Sequence, residues 1–175
     1  MKAKILVIIG SASKESSNAK LMEEFAELSA DDFQLTVFTK LGLLPHFDPS
    51  LTEDLPVAVT NLITCIEAAQ GVVICSPEYI FSIPARLKNL LEWCVATTVF
   101  LDKPVGLVTA SADGQQGHAQ LKLIMKTLGA CLAEEAELVI NGIKGRFDGE
   151  GRLSDKQVRA ELVDFTAGFK KIVYD

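Results

Sequence analysis

Two short stretches hold the residue types that could bind and orient a charged, flat ligand. In the first, Ser11, Ser13, Ser16, Ser17 and Asn18 place hydroxyl and amide groups within eight positions, between the apolar run Ile5 to Ile9 and the helical stripe Leu21, Phe25 and Leu28. A loop that leaves a buried strand and opens a helix presents backbone N–H groups at the positive end of the helix dipole. That pattern predicts a cradle for one phosphate. Serine and asparagine also cap helices and fill turns, so on composition alone both readings stand open. The dinucleotide pattern Gly-x-Gly-x-x-Gly is absent after the first strand, Thr39-Lys40 stand where an acidic residue would end the second, and no Gly-x-x-x-x-Gly-Lys-Ser/Thr occurs. Dinucleotide binding of the Rossmann kind and P-loop nucleotide hydrolysis are therefore disfavoured.

The second stretch is Ser76 to Trp93, in which the apolar run Gly71 to Cys75 meets Pro77, an aromatic loop with Tyr79 and Phe81, then Pro84 and a helical stripe of Leu87, Leu90, Leu91 and Cys94. Strand and helix packing do not require aromatic residues between the two prolines. Loops outside the carboxyl ends of parallel strands are where open α/β sheets bind ligands, and this one would suit a flat aromatic ring. A third loop, Thr109 to His118, carries Ser111, Gly114 and Gly117. His118 and His46 read as lone polar caps rather than reactive groups. No Ser-His-Asp, Cys-His or metal-ligand constellation is present, so no catalytic acid, base, nucleophile or metal ligand is assigned.

These loops need a scaffold, and the chain's periodicity supplies one. Five apolar strand-like runs, Ile5 to Ile9, Leu35 to Phe38, Val72 to Cys75, Val105 to Thr109 and Leu138 to Ile140, alternate with helical stripes. The stripes are Leu21/Phe25/Leu28, Val59/Ile63/Ile66, Leu87/Leu90/Leu91, Leu121/Ile124/Leu128 and Val158/Leu162/Phe165/Phe169/Ile172, the last preceded by a capping box of Ser154 and Gln157. Strict alternation predicts a five-stranded parallel sheet covered on both faces, and right-handed crossovers favour the order 2-1-3-4-5. The segment Asn141 to Leu153 reads as a surface excursion.

Composition narrows the partners. At 175 residues the chain is expected to form one domain, 1–175, since a core of that size buries roughly 70% of the unfolded surface. Seventeen basic against 23 acidic residues give a net charge of −6, which draws in neither nucleic acid nor an anionic membrane. No apolar stretch is long enough to span a bilayer and no cleavable leader pattern is visible, so a cytoplasmic protein is expected. Cys65, Cys75, Cys94 and Cys131 lie far apart and read as buried free thiols.

Pro77-Glu78-Tyr79, Ser82, Pro84, Leu87-Lys88-Asn89 and Trp93 resemble the Pro-Glu-Tyr-Asn-x-Ser-x-Pro-x-x-Leu-Lys-Asn-x-x-Asp-Trp signature of the NADPH-dependent FMN reductases, a family of flavodoxin-like quinone, azo-dye and chromate reductases. Gly10 to Asn18 is similar to that family's Gly-Ser-x-Arg-x-x-Ser-x-Asn phosphate loop, and Leu44-Pro45-His46-Phe47-Asp48-Pro49-Ser50-Leu51 to its Leu-Pro-Leu-Phe-Asn-x-x-Leu stretch. The resemblance implies a flavodoxin-like fold and FMN held by Ser11, Ser13, Ser16, Ser17, Asn18, Pro77, Glu78, Tyr79, Ile80, Phe81, Ser111 and Gly114. It also implies NADPH or NADH as donor, a ping-pong transfer through flavin N5 to a small-molecule acceptor, and a homodimer or dimer of dimers. Two departures stand out. The family arginine falls at Ser13, with Lys14 beside it, and the family asparagine at Ile80, which implies weaker phosphate binding and a ring pocket that is drier or differently hydrogen-bonded. The competing readings are a non-enzymatic flavin carrier and a flavin-free binding module on the same fold.

Overall fold

The computed structural model describes residues 1–13 and 16–175, so Lys14 lies outside the described residues. Five parallel strands, β1 (Ala3–Ile9), β2 (Phe33–Phe38), β3 (Gly71–Ser76), β4 (Val105–Ser111) and β5 (Glu137–Asn141), form one sheet in the order β2-β1-β3-β4-β5. This is the flavodoxin-like arrangement expected from the alternating pattern. Each crossover contains a helix: α1 (Ser17–Leu28), α2 (Val57–Ala68), α3 (Ala85–Trp93) and α4 (Gln115–Thr127), with α5 (Lys156–Tyr174) closing the chain.

Side-chain alternation divides the core into two layers. Leu6 and Ile8 of β1, Val72 and Ile74 of β3, and Leu107 of β4 pack with Leu62, Leu87, Leu90 and Leu121 from α2, α3 and α4. Ile5, Val7, Val73, Cys75 and Val108 face the other way, onto Leu21 and Phe25 of α1 and Phe165 and Phe169 of α5. A strand buried on both faces has to be apolar at every position, which is why β3 reads as an unbroken hydrophobic run. Phe25 and Phe165 meet edge-on at 5.9 Å between ring centroids, fixing α1 beside α5.

Two local expectations change. The cap of α5 is Asp155, whose carboxylate accepts from the Gln157 and Val158 N–H groups, while the Ser154 hydroxyl donates to the Arg146 carbonyl. An ionised acceptor one residue later outcompetes the serine. Of the thiols, Cys75 and Cys94 are buried as expected, and burial pushes the Cys94 thiol up to about 12 and Cys75 further in the same direction. Cys65 is half-buried and Cys131 is exposed, because Cys131 lies outside the strands and makes only a single bridge to Pro104. No helix among the described residues is long and apolar enough to cross a membrane.

Candidate functional site

Where β1 is flanked by β2 on one side and β3 on the other, consecutive crossovers leave in opposite directions and open a crevice at the carboxyl ends of the strands. A cleft of about 700 Å³ lies there, within the roughly 300–1,000 Å³ typical of small-molecule and cofactor sites. Its walls come from the loop after β1 (Ser11, Ser13), the start of α1 (Ser16, Ser17, Asn18, Lys20), the loop after β3 (Pro77, Tyr79) and the end of β4 (Ala110, Ser111, Ala112). Residues after β5, among them Gly142, Lys144 and Phe147, complete it. No group of three or more His, Cys, Asp or Glu suited to a metal occurs among the described residues.

The serine loop serves both uses left open by its composition. Ser16 is the N-cap of α1, its hydroxyl oxygen accepting from Ala19 N–H at 3.1 Å, and Ser13 N–H donates to Ser11 Oγ at 3.3 Å. A hydroxyl that accepts one bond keeps its own proton to donate. Asn18 differs, because its side chain is buried and engaged by the sheet: Nδ2 donates to the Ala110 carbonyl at 3.0 Å and Oδ1 accepts from the Cys75 thiol at 3.3 Å. The asparagine therefore ties α1 to the ends of β3 and β4. Its contribution to the cleft is its place in the first helical turn, where N–H groups have no intrahelical partner.

After β3 the chain makes a two-residue hairpin. Tyr79 and Ser82 exchange backbone bonds of 2.8 and 3.1 Å, which leaves Ile80 (φ 53°) and Phe81 (φ 55°) both left-handed at the tip. Their side chains stand in solvent, Ile80 at 95% and Phe81 at 68% exposure. Neither lines the cleft. Tyr79 does line it. Gln120 of α4 braces the tip, donating from Nε2 to the Phe81 carbonyl at 3.2 Å and accepting from Ser82 Oγ at 2.7 Å.

Glu78 and Gly114 are also outside the cleft lining. The Glu78 carbonyl accepts from Ser111 Oγ at 3.2 Å, and its carboxylate Oε2 accepts from Gly117 N–H at 2.7 Å. Gly114 (φ 109°) is the N-cap of α4 and has no side chain with which to cap it. Glu78 thus caps α4 from the neighbouring loop. A Cβ on Gly117 would stand 3.2 Å from Glu78 Cγ, so the glycine is what admits the carboxylate.

His118, read as a helix cap, is instead part of a half-buried network under α4. Its Nδ1 lies 2.9 Å from Thr109 Oγ1 and its Nε2 3.5 Å from Glu137 Oε2, which also receives the Lys122 ammonium at 2.7 Å. A carboxylate at Nε2 favours the tautomer with its proton there, leaving Nδ1 to accept from Thr109. Burial lowers the imidazole from its ordinary 6.5, Glu137 opposing the shift and Lys122 adding to it.

Sequence reasoning missed the wall formed by Gly142, Ile143, Lys144, Phe147 and Asp148, which belongs to the excursion between β5 and α5. The available signal was its position alone, immediately after the carboxyl end of a strand.

The switch-point cleft with its serine-rich first loop defines a flavodoxin-like ligand-binding protein. Residues 3–144 match the profile of the NADPH-dependent FMN reductases. The chain belongs to that family and is an NAD(P)H-dependent FMN reductase/quinone reductase-like oxidoreductase. It is 34% identical over 163 residues to an NADH:(hydroxy)cinnamate reductase subunit of Vibrio ruber, covering 90% of this chain and 80% of the relative. A 2-hydroxy-1,4-benzoquinone reductase of Burkholderia is 29% identical, covering 100% and 98%. Among solved structures, the NAD(P)H:(acceptor) oxidoreductase FerB of Paracoccus denitrificans superposes with a TM-score of 0.87 at 25% identity, covering 98% of this chain and 97% of that one.

Proposed function

We propose that the chain, as one domain spanning 1–175, binds FMN in the switch-point cleft and uses it to pass electrons from NADPH or NADH to a small-molecule acceptor. The observation that carries this reading is the convergence of Ser11, Ser13, Ser16 and Ser17 at a helix N-terminus with Pro77, Tyr79 and Ser111 around one cavity. That donor set fits a phosphate at one end and a flat ring at the other. FMN would supply the redox chemistry, taking hydride equivalents at N5 and returning them to a quinone, azo compound, metal oxyanion or free flavin in a ping-pong cycle.

The protein's part is binding and orientation. The serine hydroxyls and the first-turn N–H groups of α1 hold the phosphate, and Tyr79 flanks the ring. Glu78, Ser111 and Gly114 fix the facing loops through their bonds to one another and to α4, while Ile80 and Phe81 form the tip beside the ring. No side chain transfers a proton in this scheme. Unpaired cysteines, two of them deeply buried, suit a reducing compartment and support a cytoplasmic location.

Exposed Leu43, on the long loop after β2, and Val95, just beyond α3, support a homodimer or dimer of dimers through those surfaces. Light scattering at micromolar concentration tests it; a monomeric mass counts against it. A second reading has one specific support, the relative described as a reductase subunit. In that reading the final acceptor sits on a partner protein.

The deciding experiment loads purified protein with FMN, desalts it and adds NADPH or NADH without oxygen. A retained flavin band that bleaches, then recovers with a quinone, supports the first reading. Bleaching without recovery by any small acceptor favours the second, and loss of the band on desalting removes FMN from both.

A further inference from the structure

The cleft carries more cationic character than its serine loop suggests. Among the described residues lining it, Lys20 and Lys144 are the cations and Asp148 the one carboxylate. A phosphate monoester carries about −1.5 to −2 charge at neutral pH. On a chain of net charge −6, such a group gains from local positive charge beyond the neutral donors of the serine loop.

Lys20 stands one turn into α1, its backbone N–H bonded to the Ser16 carbonyl. Helical side chains lean toward their helix N-terminus, which directs Lys20 back toward Ser16 and Ser17. The excursion after β5 holds it there. Its Nζ lies 5.9 Å above the centre of the Phe147 ring, and a Cβ at Gly151 (φ 82°) would come within 2.7 Å of that nitrogen. Neither Lys20 nor Lys144 forms an ion pair among the described residues.

The neighbouring charges are arranged to leave both lysines available. Asp148 Oδ1 accepts from the Glu150 and Arg152 N–H groups, each at 2.9 Å, fastening the turn that presents Phe147 and Gly151. Arg146 is paired with Asp155 at 2.6 Å, which anchors the 3-10 turn carrying Lys144 to the start of α5. The segment Gly142 to Gly151 is thereby a brace that brings one lysine and steadies another at the phosphate end of the cleft.

We infer that Lys20 and Lys144 make the charged contact to the phosphate of the bound flavin, and so set the preference for FMN over riboflavin. This rests on the FMN reading above. Two ammonium groups act as point charges, with less directional bonding than one guanidinium and greater sensitivity to salt.

The test is equilibrium titration of flavin-free protein with FMN and with riboflavin, followed by flavin fluorescence, at low and high salt. Lys20→Met keeps the aliphatic stem beside Gly151, Lys144→Ala alters an exposed side chain, and Lys126→Ala at the far end of α4 is the control. Each cleft variant is expected to weaken FMN about three- to tenfold while leaving riboflavin within about twofold, and the double variant to lose most of the salt dependence. FMN and riboflavin weakened alike, or FMN unchanged in the double variant while the wild type still prefers it, would overturn the lysine assignment and leave the FMN reading standing. A wild type that binds FMN no better than riboflavin removes the phosphate site and the assignment together.

Discussion

Glu78 Oε2 sits 2.7 Å from the Gly117 backbone nitrogen, so a carboxylate from the loop after β3 caps the helix that follows β4. The same residue's carbonyl receives the Ser111 hydroxyl, and the two bonds lock the loop after β3 to the end of β4 and the start of α4. A negative acceptor at a helix N-terminus gains from both the hydrogen bond and the dipole.

Glu78→Ala is therefore expected to lower unfolding free energy by about 1–2 kcal/mol, the range for losing a cap or a charged hydrogen bond. Glu78→Gln keeps an acceptor oxygen and should recover about half of that. Urea unfolding compares the three proteins. Equal losses for Ala and Gln would mean that the charge of the carboxylate, rather than its acceptor oxygen alone, is what matters.

The hairpin tip carries strain that its side chains do not offset. Two successive left-handed residues belong to Asn-Gly or Gly-Gly, and a β-branched residue is especially costly there. Ile80 and Phe81 hold that geometry while largely exposed. Ile80→Asn and Phe81→Gly should each stabilise the protein by about 1 kcal/mol, since left-handed backbone costs an L-residue roughly 1–2 kcal/mol. Thermal unfolding would register a rise of a few degrees. A fall would mean that the two apolar side chains are buried against another molecule in solution, most simply a second copy of this chain.

Stability should also depend on pH through His118. Its folded value lies below 6.5, so as pH falls the unfolded chain takes up this proton first, and the contribution is complete above 6.5 and lost below it. The slope for one group is at most about 1.4 kcal/mol per pH unit. Asp48, Asp148 and Asp155, each held below 3.8 chiefly by hydrogen bonds, act only at lower pH. His118→Asn should flatten the wild-type decline in unfolding free energy between about pH 6.5 and 5, a window set by the ordinary histidine value. An unchanged slope would assign the decline to other groups.

The fold was legible because its signals are local and repeated. Buried parallel strands have to be apolar throughout, as in β3, and the covering helices show their stripes. The loop motifs were legible as matches, but their physical reasons were not. Asn89 Nδ2 and Trp93 Nε1 both donate to the Pro45 carbonyl at 2.9 Å, and Asn89 Oδ1 accepts from Phe47 N–H at 2.8 Å. Part of the signature around α3 thus exists to clamp the loop after β2, a pairing across more than 40 positions that no local pattern announces. Glu78 meeting Gly117 and Lys20 meeting Phe147 are hidden for the same reason. Side-chain periodicity reports which face of an element is buried, whereas these contacts depend on where loops land after the sheet has formed.

Position 13 offers a check on the phosphate end of the cleft that couples to its lysines. Ser13 is exposed at the cleft wall, and an arginine there could add a bidentate charged contact. Alone, a charged hydrogen bond is worth about ten- to a hundredfold in affinity. With Lys20 and Lys144 already facing the same group, Ser13→Arg should tighten FMN by only about three- to tenfold, because neighbouring charges share one partner and are not additive. In the Lys144→Ala background the gain should grow, and riboflavin affinity should stay constant in all four proteins. The double-mutant cycle measures this directly by fluorescence titration. A gain that is identical in both backgrounds would place Lys144 and position 13 on separate groups, and no gain in either would put the phosphate away from the serine loop.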